Sequence, residues 1–255
     1  MGAQCPTCYG TGFELKQDPR GIVSAQPCSC GQQDHAERLL CAARIPRRYE
    51  HCTLDSFEIH DPTQKPALRL VREWSQLWPA TQRGLLLLGT PGTGKTHLVV
   101  ALARELIRTK GAQVLFYEQR ELLKALQGTF DAESPQREAE VLGPVQGAEV
   151  LILDDLGAGR TTAWARDVMH DIITHRYNGN KPLIMTSNHL TGDETPSGRS
   201  KTRRLDAPLT LRDRLGDALM SRIYEMCQFV RLRGHDYRTG IAQHRRPPTE
   251  DGINR

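Results

Sequence analysis

Residues 89–96 read Gly-Thr-Pro-Gly-Thr-Gly-Lys-Thr and fit the pattern G-x-x-x-x-G-K-[ST]. Glycines at 89, 92 and 94 let successive backbone N–H groups turn inward around an anion. A helix N-terminus beyond them adds donors and partial positive charge, so the expected guest is a triphosphate. Gly89, Thr90, Pro91, Gly92, Thr93, Gly94, Lys95, Thr96 and His97 are the candidate nucleotide contacts. Lys95 is placed to reach the β and γ phosphates, and the Thr96 hydroxyl to ligate Mg²⁺. A second landmark is Glu149-Val-Leu-Ile-Leu-Asp-Asp-Leu-Gly157. Asp154 is expected to hold the Mg²⁺ through its water shell, and Asp155 to polarise an attacking water. Asn188, in Thr-Ser-Asn, is a candidate contact for the γ-phosphate or that water. Together these residues predict hydrolysis of a nucleoside triphosphate.

Elements of an α/β sheet must position them. The apolar run at 85–88 is a strand feeding the glycine-rich loop, and residues 97–109 are apolar on a helical period, closing at Gly111. Val114 to Glu118 predicts a second strand, with a helix beginning at Glu121. The apolar stretch before Asp154 reads as a buried parallel strand, whose C-terminal end is where ligands bind in open α/β sheets. Residues 163–177 predict a helix, 181–188 a fourth strand, 211–226 a helix and 228–233 a fifth strand. Upstream, residues 66–78 have helical spacing at Leu70, Trp74 and Leu77, with the tryptophans as core or interface. Residues 128–148 carry turn formers and mixed charge and predict no single element.

Four of the seven cysteines fall in the first thirty residues, as Cys5-x-x-Cys8 and Cys28-x-Cys30 separated by a polar stretch. Two close pairs resemble a zinc ribbon or knuckle, in which thiolates surround one tetrahedral Zn²⁺ and its binding energy replaces a core too small to fold alone. The Cys28–Cys30 gap is tight, so His35 is an alternative ligand, with Cys41 and Cys52 also available. Residues 34–44 predict a helix ended by Pro46. A linker follows, expected to dock on the nucleotide-binding domain and to bring Tyr49 near an adenine.

The net charge of +4 over 255 residues is too small to mark a nucleic-acid binder by itself. A local basic cluster, Arg199, Lys201, Arg203 and Arg204, lies in a loop-like stretch at 191–208 and could meet phosphates. No apolar run approaches the roughly 18 residues needed to cross a bilayer, and the N-terminus lacks a basic and apolar leader. A cytoplasmic protein that does not engage membranes is expected, its cysteines serving as thiols or metal ligands. The expected organisation is a zinc-binding segment at 1–33, helix and linker at 34–60, an ATPase domain at 61–242 and a flexible tail at 243–255.

The order of landmarks resembles the DnaC/DnaI helicase loaders and IstB-type transposition ATPases of the AAA+ class. The residues carrying the resemblance are Ile45-Pro-Arg-Arg-Tyr, GTPGTGKT, LILDDLG, Arg176-Tyr177, Thr186-Ser-Asn, Leu215-Gly-Asp-Ala-Leu-Met-Ser-Arg-Ile and Gly234-His-Asp-Tyr-Arg. The resemblance implies a P-loop AAA+ domain with a parallel five-stranded sheet in 5-1-4-3-2 order, and an ATPase whose ATP lies between subunits of an ATP-dependent homo-oligomer. It implies further that Asn188 orients water, that Arg222 is an arginine finger entering the neighbour's site, and that Arg238 is a second sensor of the γ-phosphate. The implied function is loading a replicative helicase on single-stranded DNA. Alternatives are a transposition helper on duplex DNA, partnered by a transposase, and a nucleotide-dependent adaptor with little turnover. Two departures are the long stretch at 191–208 and Ala218, where some loaders carry a second arginine.

Overall fold

The protein is described by a computed structural model covering residues 5–9, 11–130, 137–159, 162–192 and 209–238. The basic cluster at Arg199, Lys201, Arg203 and Arg204 and the tail at 243–255 lie outside the described residues.

A parallel five-stranded sheet organises the chain. Its strands are β3 (Gly84–Leu88), β4 (Val114–Glu118), β5 (Val150–Asp154), β6 (Leu183–Ser187) and β7 (Cys227–Arg231), in the spatial order β4-β5-β6-β3-β7. Numbered 1 to 5 in chain order and read from the β7 edge, this is the expected 5-1-4-3-2. Strand β3 sits between β6 and β7, and every residue in it is buried. Side chains alternate across a strand, so Leu85 and Leu87 enter one core cluster and Leu86 and Leu88 the other. Each of these leucines contributes roughly 2 kcal/mol relative to an exposed position.

The first core layer is covered by α1 (Ser29–Ala42), α2 (Gln64–Leu77) and α3 (Lys95–Lys110). The second is covered by α4 (Gln119–Gly128), α5 (Glu138–Gly147), α6 (Ala163–Asn178), α7 (Leu211–Leu215) and α8 (Asp217–Met226). Helix α3 stops at Gly111, whose left-handed φ of 63° lets its N–H bond the carbonyls of Leu106 and Ile107. The helix expected over 211–226 is two helices. Gly216, at φ 87°, breaks it, and Thr210 opens α7 with a capping box to Asp213. Within 128–148, where the sequence predicts no single element, Glu138–Gly147 form helix α5, its Val141 and Val145 buried despite Pro144. In α2, Trp74 is buried and Trp78 follows it into the core, whereas Leu77 points to solvent.

Upstream of the sheet, where the sequence predicts only a polar stretch between the cysteine pairs, β1 (Phe13–Gln17) and β2 (Val23–Pro27) form an antiparallel hairpin. Its register puts Phe13, Leu15, Val23, Ala25 and Pro27 on one face, and that face is exposed, with Leu15 76% accessible. Helix α1 begins directly after Cys28, earlier than its sequence signal, and carries the chain to Ala43. The Ala43 carbonyl accepts from Phe116 N at the outer side of edge strand β4.

Candidate functional site

The octet at 89–96 forms the turn between β3 and α3, as its glycines require. Gly92 and Gly94 adopt φ of 74° and 89°, a region L-residues avoid. Both glycines are also closely covered. A Cβ on Gly94 would lie 2.6 Å from the Phe57 ring, and one on Gly92 would lie 1.8 Å from Asp236 Oδ1. The loop is therefore clasped by two segments distant in sequence. From the N-terminal side, His97 Nε2 lies 3.0 Å from the Thr53 carbonyl, Phe57 meets the His97 ring edge-on, and Gln64 Nε2 donates to Thr93 O at 3.2 Å. From the C-terminal side, Tyr237 N donates to Gly92 O at 3.3 Å, and the Tyr237 ring stacks on His60.

Lys95 is only 6% exposed, and its ammonium donates to the carbonyls of Gly89 and Thr90, each at 2.8 Å. Burial draws its pKa down to about 8. Asp154, Asp155 and Asp236 oppose that shift, and the charge of Arg238 reinforces it. Thr96 Oγ1 lies 3.0 and 3.1 Å from the two oxygens of Asp154, so the end of β5 and the start of α3 meet. Asp154 also accepts from Thr186 Oγ1 at 2.6 Å. Burial raises its pKa, against the pull of the Thr186 and Thr96 hydroxyls. A hydroxyl and a carboxylate at this spacing are hard oxygen donors suited to Mg²⁺.

Asp155 occupies the left-handed region at φ 56°, and its carboxylate accepts from Asn188 Nδ2 at 2.6 Å. Backbone bonds fix that strained turn from the adjoining strand: Asp155 N donates to Thr186 Oγ1, and Leu156 N to Thr186 O. Next to it, burial lowers the pKa of His189, and the neighbouring Arg214 adds to the effect.

The structure thus brings together Lys95, Thr96, Asp154, Asp155 and Asn188, with Arg238 close enough for its charge to reach Lys95. Arg222 stands elsewhere on α8, where its guanidinium donates to His170 Nε2 on α6 at 3.1 Å. Tyr49 packs against the first core cluster with Arg48 over its ring, and residues 53–64 approach the loop. The sequence assigns no role at the loop to Phe57, Gln64 or Asp236. For Phe57 and Asp236 no periodic signal exists, because they act through long-range approach to glycines.

A second cluster lies in the leader. Sγ atoms of Cys5, Cys8, Cys28 and Cys30 are all within 4.8 Å of one another, with Cys5 and Cys28 3.8 Å apart. Thiolates around one tetrahedral Zn²⁺, with bonds of ~2.3 Å, are separated by roughly that distance. Backbone N–H groups of Cys8 and Thr7 draw the Cys5 thiol down to about 6, whereas the adjoining Cys8 sulfur pushes the Cys30 thiol up, so the crowded sulfurs hold protons that a bound cation would displace. The alternatives are placed apart: His35 neighbours Gly111, Cys41 is exposed on α1 and Cys52 is in the core. The four-cysteine set fits zinc. Among the described residues, no helix is long and apolar enough to cross a membrane.

Comparison with known proteins agrees with this geometry. The chain is 30% identical to the phage-like element PBSX protein XkdC of Bacillus subtilis (strain 168) over 248 residues, covering 91% of this chain and 84% of the relative. It is 23% identical to the replicative helicase loader DnaC of Escherichia coli (strain K12), covering 74% and 77%. A crystal structure of the DnaC helicase loader superposes with a TM-score of 0.61 at 33% identity, covering 73% of this chain and 99% of that one. Residues 26–245 match the IstB-like ATP binding protein family, and the chain belongs to that family of ATP-binding AAA+ proteins.

Proposed function

We propose that the protein is an ATPase that loads a replicative helicase onto single-stranded DNA. The observation that carries this reading is the likeness, at 33% identity, to a DnaC helicase loader over 99% of that chain. The meeting of Lys95, Thr96, Asp154 and Asp155 at one loop supplies the chemistry.

Lys95 exchanges the carbonyls of Gly89 and Thr90 for β and γ phosphate oxygens, and the backbone of residues 89–94 cradles the polyphosphate. Thr96 and Asp154 hold Mg²⁺, which neutralises charge on the phosphates. Asp155 polarises the attacking water, and Asn188 orients the carboxylate and that water together. Arg238 reaches the γ-phosphate. Arg222, turned toward α6 in its own chain, enters the site of a neighbouring subunit, which ties turnover to assembly. Cys5, Cys8, Cys28 and Cys30 hold Zn²⁺ and thereby order the hairpin, whose exposed apolar face engages the helicase. In this division residues 1–33 meet the partner, 34–60 link, and 61–242 bind and hydrolyse ATP.

The match to the IstB-like family favours a second reading, a transposition helper on duplex DNA. One experiment separates the two. The full chain is mixed with Mg²⁺, ATP and either a hexameric helicase with single-stranded DNA or duplex DNA alone. Loading predicts a ternary complex with the helicase and stimulated ATP hydrolysis. Filament growth on the duplex without helicase binding would sink loading in favour of transposition. ATP binding with no turnover on either DNA would sink both.

A further inference from the structure

The paired acids are held by a residue on a neighbouring element that has no place in the chemistry so far described. Strand β4 lies beside β5, and the register sets Glu118 opposite Asp154, so the first residue of α4, Gln119, arrives next to the turn that follows the acids. Gln119 is buried, which is costly for an amide unless it is bonded. Its Oε1 accepts from Gly157 N at 2.6 Å. Gly157 is itself at φ 84°, and a Cβ there would collide with Leu211 at 2.9 Å and press on His189 at 3.1 Å, so the turn cannot relax by substitution.

The turn carries strain that something must hold. Asp155 sits at φ 56°, a conformation costing on the order of 1–3 kcal/mol in a non-glycine residue. Thr186 restrains its N-terminal side through Asp155 N and Leu156 N, and Ser187 Oγ donates to Leu156 O at 2.7 Å. All of these belong to β6. The Gln119 bond alone among them comes from the β4 side, and it fixes the C-terminal half of the turn.

We infer that Gln119 is a positioning residue for ATP hydrolysis: it clamps the Asp155–Gly157 turn, and so holds the backbone from which the Asp155 carboxylate reaches its bond with Asn188. The inference rests on Asp155 being the group that polarises water. It also makes the N-terminus of α4, where exposed Arg120 lies beside Gly159, a lever on turnover.

The test uses the full chain with Mg²⁺ and ATP and the variants Gln119→Met, Gln119→Asn and Gln119→Glu. Methionine matches the shape without an acceptor, asparagine falls short of Gly157, and glutamate keeps the acceptor. Met and Asn variants should bind ATP within about twofold of the parent, while kcat falls at least about tenfold and exchange of the Gly157 amide quickens by a similar factor. Gln119→Glu should restore both. In an Asp155→Asn background, Gln119→Met should cost nothing further. Unchanged Gly157 exchange, or exchange quickened with kcat intact while Asp155→Asn is inactive, overturns the role of Gln119 alone. Full turnover by Asp155→Asn instead removes the assignment of Asp155, and the role of Gln119 with it.

Discussion

A buried lysine held near neutrality makes nucleotide affinity depend on pH in a calculable way. In the nucleotide-free site the pKa of Lys95 falls from 10.5 to about 8, chiefly through burial. Polyphosphate brings several negative charges against the ammonium and returns its pKa to the ordinary range or above, so binding takes up a proton wherever the free site has lost one. At about pH 8 half of the free sites carry neutral Lys95, and ATP binding should take up about 0.5 proton; near pH 9 the uptake should be about 0.9. The apparent Kd should accordingly rise about tenfold between pH 7 and pH 9. The phosphates titrate lower, near about pH 6, and contribute little in this window. Calorimetry with a non-hydrolysable analogue in two buffers of different ionisation enthalpy reads the uptake directly. The same shift bears on folding. Because the folded pKa is depressed, the unfolded chain binds more protons between about 8 and 10.5, so nucleotide-free stability should rise with pH across that window. The charged form costs roughly 3 kcal/mol at neutral pH. Lys95→Met removes that cost but forfeits two bonds from a charged donor to Gly89 and Thr90, each worth about 1.5 kcal/mol or more, so the two effects offset to within about 2 kcal/mol. The variant should keep the parent's stability to within that margin and fail to bind ATP. A flat Kd from pH 7 to 9 with no proton uptake would refute the reasoning.

Other outcomes follow from single contacts. Arg222→Ala should bind ATP like the parent while turnover falls about 10³-fold, and mixing it with Lys95→Ala should recover part of the rate if the guanidinium acts across subunits. Unmixed and mixed samples with equal rates would argue against that. Purified chain should release about one zinc ion on treatment with a thiol-reactive mercurial, and Cys8→Ser should lose the metal while Cys41→Ser keeps it. Arg176 is fully buried, and its guanidinium donates to the carbonyls of Val145, Ala148, Glu149 and Pro182. Arg176→Met should therefore destabilise the fold by about 3 kcal/mol in urea unfolding, since four buried acceptors lose their donor; a change under about 1 kcal/mol would contradict this account.

The strands and the acid pair were legible because each depends on local pattern. Leu85 to Leu88 and Val150 to Leu153 are apolar runs of strand length, and the glycines of 89–94 announce a turn by composition alone. The four cysteines were legible by spacing, though choosing among them and His35 needed the hairpin, whose short exposed strands carry no burial signal. What could not be read were contacts made by approach. Phe57 against Gly94 and Asp236 against Gly92 join segments well separated along the chain; Asp236 lies in the Gly234-His-Asp-Tyr-Arg segment, yet nothing local says that either residue covers a glycine of the loop. Gln119 was hidden for another reason: a glutamine opening a helix is ordinary, and only the pairing of β4 with β5 sets it against Gly157. The break at Gly216 was overlooked because apolar periodicity continues through it, with Leu215 and Leu219 both buried.

The bond from Phe116 N to the carbonyl of Ala43 closes part of the open margin of the sheet at β4. An uncapped margin is a template on which other chains add strands. Cutting away the cysteine-bearing arm together with α1 would expose that template along with the apolar surface beneath the helix. Solubility lost on such a truncation would then report self-association through β4, and would say nothing about which partner the arm recognises.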